Sequence, residues 1–303
     1  MNPTEPRIPV ILDTDIGDDI DDTWALVMML NSPELDIRLV CSDSGDTVYR
    51  ARIIARLLEV AGRTDIPVGV GLQGASSAAG GQAEWVEDYD LAAYPGTVYE
   101  DGVGALIDTI MQSPEPVTLV CIGPVPNIAE ALRRESAIAS NARFVGMHGS
   151  VHKGYGGAAE VSAEWNVRAD PASCRAAFEA PWDVTITPVD TCGLIVLDGE
   201  RYKRVRDCRT PLAQALMDNY RIWAAQHGAG AEERSSTLFD TVAVYLAFSE
   251  ELLNMERVGL RVTDDGYTRV DEAGKPVSCA ISWRDQEAFE EFLVQRMTVD
   301  QGR

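Results

Sequence analysis

PVILDTDIGDDIDDTWALVMML, residues 9–30, is the most informative stretch of the chain. An apolar run of strand length feeds directly into six aspartates within ten residues (Asp13, Asp15, Asp18, Asp19, Asp21 and Asp22), and an apolar helix follows. Helix capping explains one or two of these carboxylates, because an Asp in the first turn satisfies free amides and complements the helix dipole. Six are too many for that purpose. Held together at a strand end they repel and raise one another's pKa unless a cation neutralises them, and oxygen-only ligands suit a hard ion, Ca²⁺ or Mg²⁺. An EF-hand loop would need Gly at its sixth position, but counting from Asp13 that position is Asp18.

Outward from this stretch, apolar runs of four to seven residues alternate with longer amphipathic segments, the rhythm of βαβ units. Strands are expected at 9–12, 36–41, 66–70, 117–122, 143–147 and 184–187. Helices are expected at 22–31, 47–61, 102–112, 124–134, 171–180, 212–227, 238–249 and 284–295. The fold class is therefore α/β, a mostly parallel sheet flanked by helices, with ligands beyond the carboxyl ends of the strands. Segments 73–93 and 226–236, rich in small residues, read as long mobile loops and candidate lids. Residues 257–282 read as a small antiparallel addition around the turn Asp264-Asp265-Gly266. No repeat or Pro-rich linker divides the chain, so 1–303 is read as a single domain.

Composition excludes several functions. With 26 basic against 48 acidic residues the net charge is −22, and only Lys153, Lys203 and Lys275 are lysines. Nucleic acid and anionic membrane surfaces are poor partners for such a chain. The longest apolar stretch, 24–30, is far short of a membrane span, and no secretory signal is recognisable, so a cytoplasmic location is the expectation. Six cysteines without a CxxC pair read as reduced, mostly buried thiols. Gly69-Val-Gly71-Leu-Gln-Gly74 matches GxGxxG, but it runs into a loop instead of a helix, which argues against dinucleotide binding.

Four segments in order resemble the inosine-uridine-preferring nucleoside hydrolase family. DTDIGDDIDDTWA (13–25) is similar to its opening DxDPGxDDxxA motif, in a longer DTDxGxDxDD form. CIGPVPNIAEAL (121–132) resembles TGPLTNLAxAL, AEWNVRADPASCRAAF (163–178) resembles AEFNxxxDPEAAxxVF, and FDTVAV (239–244) resembles HDPxAV. The resemblance implies a nucleoside-hydrolase-like open α/β fold and a Ca²⁺-dependent hydrolase that cleaves the N-glycosidic bond of a nucleoside or related riboside through a metal-bound water. It also implies a homo-oligomer.

Carried over residue by residue, the resemblance places the ion on Asp15, Asp22, the backbone carbonyl of Ile122, and Asp240. Asp15 is then also the catalytic base that takes the proton of the attacking water. Asp21, Glu164 and Asn166 resemble residues that bind the 2-, 5- and 3-hydroxyls of the sugar, and Asp19 is an alternative to Asp21 or Asp22 in one role. Clustered carboxylates also suit the oxocarbenium-like transition state of glycosidic hydrolysis.

Three positions depart from the family. Asp46 stands where an Asn reaches the ribose, and it serves equally as the N-cap of the following helix. Ala158 replaces a second Asn. Phe239 replaces the His implicated in handling the leaving base; a phenyl ring can stack on a base but cannot protonate it. Candidates for stacking or protonation are Phe239, Trp85, Tyr89, Trp223, His148 and His227. Two rival functions follow: a sugar- or nucleoside-binding protein without catalysis, and a Mg²⁺ phosphatase, since Asp13-Thr-Asp15 after a strand also resembles an aspartyl nucleophile motif.

Overall fold

A computed structural model describes residues 6–74 and 80–299. Residues 75–79, part of the loop expected over 73–93, and residues 1–5 and 300–303 lie outside the described residues. The first half of the chain runs β1 (Ile8–Thr14), α1 (Asp21–Leu30), β2 (Leu35–Ser42), α2 (Thr47–Val60), β3 (Val68–Val70), β4 (Val98–Tyr99), α3 (Gly102–Gln112), β5 (Val117–Cys121), α4 (Pro126–Arg134) and β6 (Ala142–Met147). The second half runs α5 (Trp165–Ala169), α6 (Pro171–Glu179), β7 (Val184–Thr187), α7 (Gly199–Arg206), α8 (Pro211–His227), α9 (Phe239–Leu246), β8 (Leu253–Val262), β9 (Thr268–Val270), β10 (Lys275–Trp283) and α10 (Gln286–Thr298).

These strands form one sheet in the order β4-β3-β2-β1-β5-β6-β7-β10-β8-β9. From β4 to β7 every pairing is parallel, so the expected α/β class is what the chain adopts. The chain winds outward from β1 in one direction, then returns to lay β5 on the other side of β1. A crevice opens at such a reversal beyond the strand ends. Here those ends are the residues after Thr14 and Cys121, the aspartate run on one side and Ile122-Gly123 on the other. The tail extends the main sheet: β10 pairs parallel with β7 while β8 and β9 pair antiparallel beyond it.

Helix α1 explains how carboxylates come to be buried. All ten of its residues are buried, Asp21 and Asp22 included, because it packs against α8, α9 and α10 and shares one apolar core with Val10, Leu12 and Val40 of the sheet. Trp24, Leu26, Val27, Met28, Met29 and Leu30 are each withdrawn from water, worth about 2 kcal/mol apiece. That apolar term, on the order of 10 kcal/mol in sum, offsets the cost of carrying two aspartates of the first turn inside.

The expected loops are held more firmly than their composition suggests. Residues 83–86 and 91–93 form short 3-10 turns, and Gln82, Trp85 and Val86 are buried. In the second segment the Tyr220 hydroxyl donates to the Arg234 carbonyl at 3.0 Å, and Ser235 N donates to the Leu197 carbonyl at 2.9 Å.

Candidate active site

A cavity of about 310 Å³ opens at the reversal point, large enough for a small organic molecule. Its floor is acidic: Asp15, Asp18, Asp19, Asp21, Asp22, Glu164 and Asp240 line it, and among the described residues of the lining there is no Lys or Arg. Asp21 and Asp22 come from the first turn of α1, and Asp240 from the first turn of α9. One carboxylate oxygen from each of these three lies within 4.8 Å of the others, and all three side chains are buried.

Burial, compounded by the neighbouring carboxylates, pushes Asp21, Asp22 and Asp240 well above the usual carboxylate range. Asp15 is pushed up to about 6, chiefly by burial; the Arg50 guanidinium pulls it back and the charge of Asp18 adds to the rise. Arg50 is itself buried and fixes the loop, donating from Nε to the Ser44 carbonyl at 2.7 Å and from Nη1 to the Ile16 carbonyl at 2.9 Å. Thr14 Oγ1 donates to Asp22 Oδ1 at 2.5 Å. Close packing completes the floor: a Cβ on Gly123 would stand 3.0 Å from Asp15 N and 3.1 Å from Asp15 Oδ1.

The outer part of the aspartate loop is clamped from three other segments. Trp223 Nε1, on α8, donates to the Asp18 carbonyl at 2.9 Å, and Gln82 Nε2 donates to the Asp19 carbonyl at 2.7 Å. Gln82 Oε1 in turn accepts from Thr23 and Asn219, while the Tyr49 hydroxyl donates to the Gly17 carbonyl at 2.9 Å. None of these clamps is legible from motif spacing, since each joins distant segments.

The expected site residues fall into three groups. Asp15, Asp21, Asp22, Ile122, Glu164, Asn166, Phe239 and Asp240 all line the one cavity. Within it the tight trio contains Asp21 alongside Asp22 and Asp240, with Asp15 facing the same space. Asp46 is elsewhere: its carboxylate caps α2 by accepting from Tyr49 N at 3.0 Å, and it does not line the cavity. Asp13 is tied into the fold, accepting from Asn127 Nδ2 at 2.7 Å.

Glu164 and Asn166 already carry structural bonds. Glu164 Oε1 accepts from Asn166 N, and Oε2 accepts from Gly149 N and Val167 N, which caps α5. Burial nevertheless pushes its carboxyl up to about 7. Asn166 Nδ2 donates to the carbonyls of Met147 and Ile122 at 3.0 and 3.2 Å, so the Ile122 oxygen is held by an amide from below.

Aromatic residues make the walls. Trp223 and His227 stand on one flank, and Tyr155, Trp165 and Phe239 also line the cavity. Tyr155 and Phe239 meet edge to face at 5.9 Å, and the Tyr155 hydroxyl accepts from Trp165 N at 2.9 Å. Tyr155 and Trp165 were not anticipated; the position of Trp165 between Glu164 and Asn166 was the available signal. Trp85, Tyr89 and His148 are not part of the lining. His148 is buried with Nε2 donating to the Gly123 carbonyl at 3.0 Å, and burial holds its pKa down at about 4, so the ring stays neutral.

Comparison with known proteins agrees with this geometry. The profile of the family described as "Inosine-uridine preferring nucleoside hydrolase" matches residues 10–293. "Pyrimidine-specific ribonucleoside hydrolase RihA" of Salmonella arizonae is 28% identical over 312 residues, covering 96% of this chain and 98% of the relative. "Probable uridine nucleosidase 2" of Arabidopsis thaliana is 25% identical over 283 residues, covering 87% and 84%. Among solved structures, "Plant nucleoside hydrolase - PpNRh1 enzyme" superposes with a TM-score of 0.83 at 21% identity, covering 97% of this chain and 100% of that one. "Purine-Preferring Ribonucleoside Hydrolase from Gardnerella vaginalis" gives 0.76 at 20% identity, covering 95% and 98%. At these identities the structural likeness is one of fold.

Proposed function

The chain belongs to the inosine-uridine preferring nucleoside hydrolase family and is an N-ribohydrolase that cleaves the N-glycosidic bond of nucleosides, and we propose that the acidic cavity does this with a bound Ca²⁺. The supporting observation is the buried trio Asp21, Asp22 and Asp240, whose oxygens lie within 4.8 Å of one another with no Lys or Arg among the described residues of the lining. An all-oxygen donor set of this charge fits a hard divalent ion. Asp22 and Asp240 would be its principal ligands, with Asp15 at the end of β1 and the Ile122 carbonyl at the end of β5 completing the set. When bound, such an ion offsets the repulsion among the carboxylates and polarises a water.

The chain's own groups carry the rest. Asp15 accepts the proton of the water that attacks the anomeric carbon; the absence of a side chain on Gly123 leaves room for that carboxylate, and the nearby Arg50 charge favours its ionised form. Asp21 accepts from a sugar hydroxyl at the edge of the trio, and Asn166 and Glu164 bound the sugar on the side of α5. Positive charge developing on the ring during bond breaking is stabilised by the surrounding carboxylates. The bond to the base breaks with its electron pair passing to the base nitrogen. Phe239 offers an apolar face to the base, and Asp46, at the cap of α2, takes no part in this reading.

Residues 1–303 are read as one catalytic domain that self-associates and works in the cytoplasm. Among the described residues no helix is long and apolar enough to cross a membrane. The test is base release, followed by chromatography, from a panel of purine and pyrimidine nucleosides by wild type and D15A. Release by wild type that the substitution abolishes supports the reading. Equal release by both proteins removes Asp15 from the reaction.

A further inference from the structure

Resting on the N-ribohydrolase reading above, we propose that His227, the last residue of α8, is the catalytic acid that protonates the departing nucleobase.

When the glycosidic bond breaks, its electron pair goes to a ring nitrogen, and the base leaves as an anion unless a proton arrives there. Position 239 cannot deliver it, because Phe239 has no exchangeable proton on its ring. Few alternatives line the cavity. The Tyr155 hydroxyl accepts from Trp165 N, and burial pushes its pKa upward, the wrong direction for an acid. The Trp223 indole N–H is committed to the Asp18 carbonyl at 2.9 Å. Of the floor carboxylates, Asp15, Asp22 and Asp240 are assigned to the water and the ion and Asp21 to the sugar, Glu164 accepts three backbone N–H groups, Asp19 accepts from Ile20 N, and Asp18 interacts with His227 itself. His227 is the one imidazole among the described residues of the lining.

Its ring is placed for the task by three contacts. Nδ1 lies 2.8 Å from the Trp223 carbonyl oxygen; a carbonyl can only accept, so Nδ1 carries a hydrogen and Nε2 is the nitrogen where a proton comes and goes. The imidazole lies flat on the Trp223 indole, with centroids 4.4 Å apart and planes 18° apart, and that indole stacks in turn on Tyr220 at 5.9 Å. Gly81 allows the close approach of the neighbouring segment, since a Cβ there would stand 3.2 Å from His227 Cε1 and 2.9 Å from the Asp18 carbonyl oxygen. The carboxylates of Asp18 and Asp19 interact electrostatically with the ring, opposite in sign to an imidazolium.

The proton balance closes: imidazolium Nε2 gives its proton to the base nitrogen as the bond breaks, Asp15 accepts one proton from the attacking water, and solvent resets both. The ring is mounted on α8 and not on α9, which carries position 239.

The experiment compares wild type, H227Q and H227F on uridine, on inosine and on 4-nitrophenyl β-ribofuranoside, whose leaving group departs without protonation. Both variants are expected to lose about 10²- to 10³-fold in kcat on the two nucleosides, with KM within about threefold of wild type. On the nitrophenyl riboside they are expected to stay within about threefold. The limb of the nucleoside kcat/KM profile that reports loss of a proton at high pH is expected to disappear in both. Equal losses on all three substrates would overturn the proposal, since they would indicate a positioning or folding role, and so would unchanged nucleoside turnover. Wild type inactive on every substrate would overturn the hydrolase reading itself, which is a different failure.

Discussion

Replacing Asp240 by Asn should stabilise the metal-free protein and destabilise it relative to wild type once Ca²⁺ is supplied, a reversal of sign from one substitution. Within the trio, two carboxylates about 5 Å apart repel by about 3 kcal/mol when both are ionised, at the effective dielectric suited to protein sites. D240N removes two such pairs. Part of that relief is already taken by protonation, because Asp21, Asp22 and Asp240 all titrate well above the usual range. The net gain in chelator is therefore smaller, about 1–3 kcal/mol. In wild type, Ca²⁺ at a thousand times its Kd adds about 4.1 kcal/mol, or about 8 °C in Tm at roughly 2 °C per kcal/mol for a chain of this size. The variant should show little of that increment. The sign of the pH effect follows: acids whose folded pKa is raised hold more protons in the native state, so the metal-free protein loses stability as pH rises from about 4 through the raised values. D240N should flatten that slope. Thermal melts in chelator and in millimolar Ca²⁺, at pH 5 and 8, test all of this. A variant that melts below wild type by the same amount in both conditions would refute the electrostatic reasoning.

Three further outcomes rest on separate contacts. R50M leaves the buried carbonyls of Ser44 and Ile16 without their donor and should cost about 3–4 kcal/mol in urea unfolding; a loss under 1 kcal/mol would show that the loop does not depend on this guanidinium. G123A must displace Asp15, whose backbone N and Oδ1 stand 3.0 and 3.1 Å from the added methyl, so kcat on uridine should fall about 10- to 100-fold with Tm nearly unchanged. An unaltered kcat would separate Gly123 from the positioning of Asp15. For His148, held at about 4 against an ordinary 6.5, the unfolded state takes up the proton first. Its stabilising contribution is present above pH 6.5 and is lost as pH falls toward 4, so the difference in unfolding free energy between wild type and H148Q should shrink by about 2–3 kcal/mol between pH 7 and 4.5. A constant difference would contradict a neutral buried ring.

Six strands and eight helices were legible because each carries its own apolar period, and the observed elements agree with them to within a few residues. What the sequence left out lacks such a signal. β4 is two residues long and takes its place by pairing with β3. α5 spans five residues and depends on the Glu164 cap. α7, GERYKRVR, buries only Tyr202 and Val205, too little to show a face. The parallel pairing of β10 with β7 joins residues about 90 positions apart, which no local pattern records. In the site, residue type identified the carboxylate floor, since buried like charges are anomalous wherever they occur. Direction was harder: Asp46 follows a strand end as the site residues do, yet its side chain turns back to cap α2. The clamps from Gln82, Tyr49 and Trp223 join segments 32 to 205 residues apart, and only the folded chain brings them to the aspartate loop.

Base release from uridine and inosine by protein stripped of metal, and then resupplied with Ca²⁺ or Mg²⁺, tests the central claim most directly. Expected is no release after stripping and recovery with Ca²⁺ in wild type, with no recovery in D240N. Full activity of the stripped protein, or recovery in D240N equal to that of wild type, would contradict hydrolysis at an ion held by the Asp22 and Asp240 carboxylates.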